Sequence, residues 1–571
     1  MESTQNSNLI SPNDAKMIAT TDATKLGRKL ENPYSVKSMT TAFNNLTNEN
    51  CQLPITHLYV RFLPKNVEQY MQLLDDTTLQ LSDTPFDYEI ISLGNHYQDP
   101  NIAPEKVTWQ YAAVPMSKVL PTNIETELLD DLYLPAGNTI NHCKATLDVE
   151  DLEREAFAIT NNADLYDMPQ SNPQKGGVKI QQRFNPEGDI TVQNVQLGNV
   201  PLRNTKIVSR SWFMTWITHT DANGHFRIGY RYNSRVIVKV KFQNRSTDIR
   251  SLKDFDDWRT AGCVQATIGM FSGNAMTNIN FNVANAPNNR DGFLSEQKRE
   301  WAAAHAINAL EEYRDMAQAA GIALPPRNIN VYLSNSPIPQ QFQRVASAPM
   351  FKQMAKTGII SNAILLPMTN IVTTTGRAIV RHFLPDIYVN FFGVTQSDRF
   401  TQTFYHELAH TSHYTQVGNF FWTAYVGYIV LNGGYGDQNS TGVGRIELSE
   451  GWANYAAHVF TNQRYGAVTS LGLTNWQQII ERFGNRANNF PFNTLTGEMV
   501  AGGAMYDLTD GGQEPIDTGI DDQVNTYTMA QIFEAMQSNT TTVPDFRNLL
   551  LQQNNNRQQL QTLNLFASYG W

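Results

Sequence analysis

Residues 387–418 read IYVNFFGVTQSDRFTQTFYHELAHTSHYTQVG, and the fold expected of the C-terminal half follows from this stretch. The β-branched and aromatic run Ile387-Tyr388-Val389-Asn390-Phe391-Phe392 ends at Gly393 and has the composition of a strand. Ser397 or Asp398 then offers an N-cap and Gly418 a stop, which predicts a helix running to about Val417. Inside that helix His406, Glu407, Leu408, Ala409 and His410 spell H-E-x-x-H. At 3.6 residues per turn, positions four apart stack on one face, so both imidazoles can reach a single ion about 2 Å from each. Glu407 flanks that ion without being placed to ligate it, and it can take a proton from a water the ion activates. The pattern predicts bound Zn2+ and hydrolysis.

Two histidines do not hold a catalytic zinc; a third protein ligand is needed, with one position left open. His413 lies on the same stripe but about 4.5 Å further along the axis than His410, too far to share the ion on an unbroken helix. The three-histidine extension H-E-x-x-H-x-x-G-x-x-H is disfavoured, because His413 and Gln416 stand where its glycine and last histidine belong. A better source is Glu447-Leu448-Ser449-Glu450-Gly451-Trp452-Ala453-Asn454-Tyr455, which follows a glycine-rich loop and continues as an apolar helical pattern. Glu450 is the expected ligand, with Glu447, one turn earlier, as the substitute. Asn454 projects beside Glu450 and can orient a zinc-bound imidazole through its free N–H. A tetrahedral oxyanion also needs a donor besides the metal, for which Tyr506 is the first candidate and Tyr455 and His458 are others.

The run HELAH followed by SEGWANY resembles the gluzincin metallopeptidases, whose third ligand is a glutamate on the next helix. That resemblance implies His406, His410 and Glu450 as ligands, Glu407 as general base, and a protein or peptide substrate. By the same analogy the strand from Ile387 to Phe392 is expected to be the sheet edge that pairs with an extended substrate. A fainter resemblance, spread over most of the chain, is to exported surface proteins of the Bacteroidetes type that carry a peptidase behind small N-terminal domains.

The 571 residues exceed what one core organises, and several domains are expected. The chain is read as multidomain α+β: a flexible polar tail at 1–34, a small α+β domain at 35–145, a helical connection at 146–180, a β-sandwich with its transition at 181–285, and a zincin-like domain at 286–571. In the first domain, helices are predicted around Val36 to Asn45 and Asn66 to Leu74, with a strand at His57 to Leu63. The period then changes to two, with strands at Ile190–Val192, Thr205–Val208, Trp212–Ile217 and Val236–Val240. Thr220-Asp221-Ala222-Asn223-Gly224-His225-Phe226 is similar to a turn of transthyretin-like modules, which act as spacers or binding platforms; its Asp and Gly suit a tight turn. Last come a helix from about Ser295 to Ala320, a strand at Ile329–Leu333, the motif helix, and a mostly helical lower lobe from Thr474 onward.

A net charge of -10 gives no basic footprint, so nucleic acid is not expected as a partner. Cys51, Cys143 and Cys263 are scattered and form no metal knuckle; at most one disulfide is expected. No apolar run spans a bilayer, and the longest, Phe420 to Leu431, is expected to be a buried helix. Residues 1–34 lack a hydrophobic signal region, so the protein is expected to be either cytosolic or exported with its signal removed; the resemblance favours the second, at the cell surface or outside it. Three functions are weighed: a peptidase, a glycoprotein-directed peptidase whose sandwich engages glycan, and a noncatalytic surface-binding protein holding zinc for structure. Oligomeric state is not expressed in the sequence.

Overall fold

The computed structural model describes residues 16–18, 21–166, 183–252, 262–287, 293–335, 346–356, 384–432, 434–436, 438–470, 501–510 and 519–571. The chain is mixed α+β and divides into two compact units: Met1–Thr191, Pro201–Lys241 and Gln265–Asn282 form one, and Val192–Val200, Phe242–Val264 and Val283–Trp571 the other. By this division the segments 35–145 and most of 181–285 fall in one unit. The polar stretch 171–177 lies outside the described residues, as does 474–500 of the expected lower lobe. No helix among the described residues is long and apolar enough to cross a membrane.

In the first unit, the predicted helix forms over Val36–Thr47, with the Ser35 hydroxyl accepting the Ser38 N–H and Asn48 closing it in the left-handed conformation. The predicted strand His57–Leu63 sits between Gln110–Pro115 and Glu125–Leu132, antiparallel to both. Asn66 caps the second helix, Val67–Asp75, through the Gln69 N–H. Tyr34, Met39, Phe43, Tyr59, Phe157 and Phe213 pack into one core. A disulfide joins Cys51 to Cys143, as the cysteine count permitted.

The period-two region of the same unit gives an antiparallel sheet ordered Lys16–Ile18, Gln265–Phe271, Val236–Lys241, Lys206–Ser211, Met214–His219. The Asp221 carboxylate accepts the N–H groups of Asn223 and His225, closing the turn that the T-D-x-x-G-x-F string announced. The expected tail is corrected here: Lys16–Ile18, Thr21–Ala23 and Lys25–Lys29 are strands, and Lys16–Ile18 pairs with Gly269–Phe271 at the sheet edge. An edge strand needs only backbone hydrogen bonds along one side, so three polar-flanked residues can join it without an apolar periodicity.

The second unit is organised by a sheet ordered Thr247–Leu252, Ile329–Ser334, Ile387–Asn390, Ala346–Ser347; the first three strands are parallel and the last is antiparallel. Every residue of Ile329–Ser334 is buried, as a strand covered on both faces requires. The buried Asp386 carboxylate ties this sheet together, accepting the N–H groups of Asn330 and Gln353 and the Gln353 amide. The expectation that Ile387–Phe392 forms the sheet edge is corrected: Ala346–Ser347 pairs with Val389 and Tyr388 and takes that position. Two residues carry no period, so this edge could not be read from sequence.

The helix Phe293–Ala320 and the motif helix Ser397–Leu431 follow the predicted order. Gln396, not Ser397 or Asp398, occupies the N-cap, and both expected caps are engaged elsewhere. Ser397 accepts the Val195 N–H, and the Asp398 carboxylate binds Thr469 and Ser470. At Gly418 the backbone leaves helical geometry (φ 75°, ψ -176°), so the predicted stop is a kink, and a second helical arm continues to Leu431. That arm is amphipathic rather than buried: Phe421, Trp422, Tyr425 and Val426 face inward, while Phe420 is 84% exposed.

Candidate metal centre

His406 and His410 lie on one face of the motif helix with their Nε2 atoms 3.1 Å apart. The helix Gly444–Tyr465 packs against it and brings in Glu450, whose Oε2 stands 3.2 Å from Nε2 of His406 and 3.5 Å from Nε2 of His410. Three ligands of a tetrahedral ion bound at 2.0–2.2 Å stand about 3.3–3.5 Å from one another. Of the three separations, 3.5 Å falls within that range and 3.1 and 3.2 Å lie slightly below it, and two imidazoles with one carboxylate are a donor set that zinc accepts. His410 and Glu450 are buried, while the His406 side chain keeps 21% of its surface.

Local sequence explains how the second helix comes this close. A Cβ on Gly451 would stand 2.8 Å from the Ala501 nitrogen and 3.0 Å from the Gly502 nitrogen, so only glycine lets this backbone pass. The Ala501 N–H in turn donates to the Glu447 carbonyl, seating the short helix Gly502–Asp510 on the helix that carries Glu450. On the other face, the indole N–H of the buried Trp452 donates to the Ala409 carbonyl at 3.1 Å, between the two motif histidines. The two residues that follow Glu450 thus hold its helix against Gly502–Asp510 and against the motif helix.

The charges are mutually adjusted. Burial pushes the Glu450 carboxyl up, but the imidazoles of His410 and His406 outweigh it and hold the group well below the ordinary carboxylate range. Burial also disfavours a charged His406, yet the hydrogen bonds its ring donates to Glu450 and Asn454, with the nearby Glu407 charge, lift it above its usual value. At His410 burial wins over Glu450, and the pKa is lowered. Asn454 accepts a hydrogen bond from the His406 ring.

Glu407 is buried beside this set. His413 is not part of it: burial drives its pKa down to about 3, and its ring packs against Phe421 and Trp422. Glu447 is also buried, but the carboxylate that clusters with His406 and His410 is that of Glu450. The three oxyanion-donor candidates form one aromatic group, with the Tyr506 ring 5.1 Å from His458 and 6.5 Å from Tyr455.

Tyr425 escaped the sequence reading. Its hydroxyl donates to Glu450 Oε1 at 2.5 Å, and burial, then the Glu450 charge, raises its pKa well above the usual phenol range. No local pattern could find it, because it reaches the centre only when the chain turns at Gly418. No family model matches the chain, and neither the curated proteins nor the solved structures contain a match to it.

Proposed function

We propose that the protein is a zinc-dependent peptidase of gluzincin type, with His406, His410 and Glu450 as zinc ligands and Glu407 as general base. The observation that carries this reading is the convergence of three ligand atoms at 3.1–3.5 Å, two from one helix turn and one from the next helix. The finer architecture belongs to the same proposal: a small N-terminal α+β domain, a transthyretin-like β-sandwich, and a zincin-like domain with a mixed upper and a helical lower lobe. A parallel sheet ending in one short antiparallel edge, beside the helix that bears the histidines, supports the upper lobe.

Zinc supplies Lewis acidity, bringing the pKa of a water from 15.7 to near 7 and polarising a carbonyl. Glu407, one residue from His406, is placed to accept that water's proton and to return it to the leaving amine. Asn454 holds the His406 ring in orientation, and burial of His410 and Glu450 keeps bulk water from competing for them. Tyr506 is the proposed oxyanion donor. Outside the cell is the proposed location, supported by the Cys51–Cys143 disulfide, a bond that persists in oxidising compartments.

A noncatalytic zinc protein is a poorer reading, because structural zinc needs neither an exposed approach at His406 nor a neighbouring base. The glycoprotein-directed variant gains one observation: Trp216, 45% exposed on an edge strand, stacks on Tyr230 at 4.8 Å, a flat aromatic surface of the kind sugars adopt as a platform. Glycosylated and deglycosylated forms of one substrate separate the two readings.

The deciding experiment pairs two variants. Glu407→Gln is expected to lose 10²–10⁴-fold in peptide hydrolysis while retaining full zinc content by elemental analysis. Glu450→Ala is expected to lose zinc. Hydrolysis surviving in the first variant would refute the mechanism, and full zinc in the second would refute the ligand set.

A further inference from the structure

The structure assigns Tyr425 a positioning role at the metal centre: it pins Glu450 so that one carboxylate oxygen alone, Oε2, faces the two histidines. This inference rests on the zinc reading above. A glutamate side chain ends in a torsion with broad, two-fold freedom, so an unrestrained carboxylate can offer either oxygen to an ion, or both. Here Oε1 accepts the Tyr425 hydroxyl at 2.5 Å, while Oε2 lies 3.2 and 3.5 Å from the histidine Nε2 atoms. A hydrogen bond to an ionised acceptor is about twice as strong as a neutral one, enough to set that torsion.

Tyr425 is itself immobilised. It is 4% exposed, its ring lies 4.8 Å from that of Trp422, and it stands 6.0 Å from the ring of His410. The tyrosine therefore touches one ligand with its hydroxyl and lies beside another with its ring. Both contacts come from the arm beyond Gly418, so the kink delivers a third segment to a centre whose ligands come from two. An ion held by Glu450 Oε2 is thus linked to residues 419–431 through the Tyr425 hydroxyl, and beside it the rings of Tyr425 and Trp422 lie 6.0 Å from that of His410.

The test is Tyr425→Phe, which removes the hydroxyl and keeps the ring. Loss of such an outer partner typically weakens metal binding 10–100-fold, and that is the shift expected in a zinc titration against a chromophoric chelator. With Co2+ as probe, the visible absorption should weaken as Glu450 becomes free to bind through both oxygens and the coordination number rises. Metal-free wild type and variant are compared by circular dichroism and melting, where equal values show that the fold is intact. A second measurement needs no variant: in the wild-type chain, zinc should increase amide-exchange protection across residues 419–431. Unchanged zinc affinity and an unchanged Co2+ spectrum in Tyr425→Phe would overturn the role of Tyr425, as would absence of zinc-dependent protection in that arm. Neither result touches the zinc reading, which fails only if the wild-type chain binds no zinc or Glu450→Ala retains it.

Discussion

Glu153 illustrates how much one buried group can set. It lies 4% exposed under the hydroxyls of Tyr34 at 3.2 Å and Tyr166 at 3.4 Å, and Asn233 in turn donates to Tyr166. Burial pushes its carboxyl up to about 7, more than Tyr34, Arg183 and Tyr166 pull it down. In the folded chain Glu153 therefore keeps a proton that the unfolded chain releases near pH 4.5. Stability is then full below pH 4.5 and falls as the pH rises to about 7, by an amount on the order of 3 kcal/mol. Glu153→Gln should flatten this part of the pH–melting curve and raise the melting temperature at pH 8; parallel curves for the two proteins would show that Glu153 is not the group responsible. At the proposed metal centre, His413→Gln should leave zinc content unchanged, since that ring packs on Phe421 and Trp422 and is not in the cluster of His406, His410 and Glu450. Loss of zinc from a well-folded His413→Gln chain would contradict the assignment.

Among the elements, the helix Gly444–Tyr465 depends on close approach, and Gly451 is where it is least forgiving. Because the atoms in the way are backbone of Ala501 and Gly502, no side-chain rotation relieves Gly451→Ala. Overpacking of this kind costs about 1–3 kcal/mol, and because Glu450 is the adjacent residue, zinc affinity should fall together with melting temperature. If stability drops but zinc binding holds, the helix Gly502–Asp510 yields without moving Glu450. The elements also divide by legibility. His57–Leu63 and the helices beginning at Val36 and at about Asn66 were readable because period and caps agree. Ala346–Ser347 was not, since two residues have no period, and Thr247–Leu252 belongs to the second unit's sheet although its sequence neighbours are strands of the first. Strand composition reports that a strand forms, whereas its partner is set by what the rest of the chain buries.

At the scale of the molecule, the disulfide and the proposed zinc site fall in different units. Cys51 and Cys143, 92 residues apart, close a loop in the first unit, while His406, His410 and Glu450 lie in the second. Calorimetry should thus resolve two responses. Reductant should destabilise the first unit by about 2–5 kcal/mol and leave the second in place. A chelator should destabilise the second by about 2.7 kcal/mol relative to zinc at a hundred times its dissociation constant and leave the first. A single transition shifted equally by both treatments would mean that the units unfold as one. The cysteine count limited the chain to one disulfide, yet three cysteines allow three pairings, and only the folded first unit selects Cys51 with Cys143.

The sequence by itself determined what depends on a few neighbouring residues: His406 and His410 on one helical face with Glu407 beside them, the end of regular helix at Gly418, and the Asp221–His225 turn. These follow from backbone geometry, which acts within one or two turns and so leaves a period or a cap to read. It also narrowed the acidic neighbour of the two histidines to Glu450 or Glu447. Tertiary structure alone decided that Glu450 clusters with the histidines, that Tyr425 holds its other oxygen, and that Ala346–Ser347 rather than Ile387–Phe392 edges the sheet. Each of those is an encounter between segments far apart in the chain, and its position is set by which surfaces pack: Trp452 on the motif helix, the backbone of residues 501 and 502 across Gly451, and the turned arm beyond Gly418. Packing of this kind has no period in one dimension, which is why the shared helical face of the two histidines was legible and the shape around them was not.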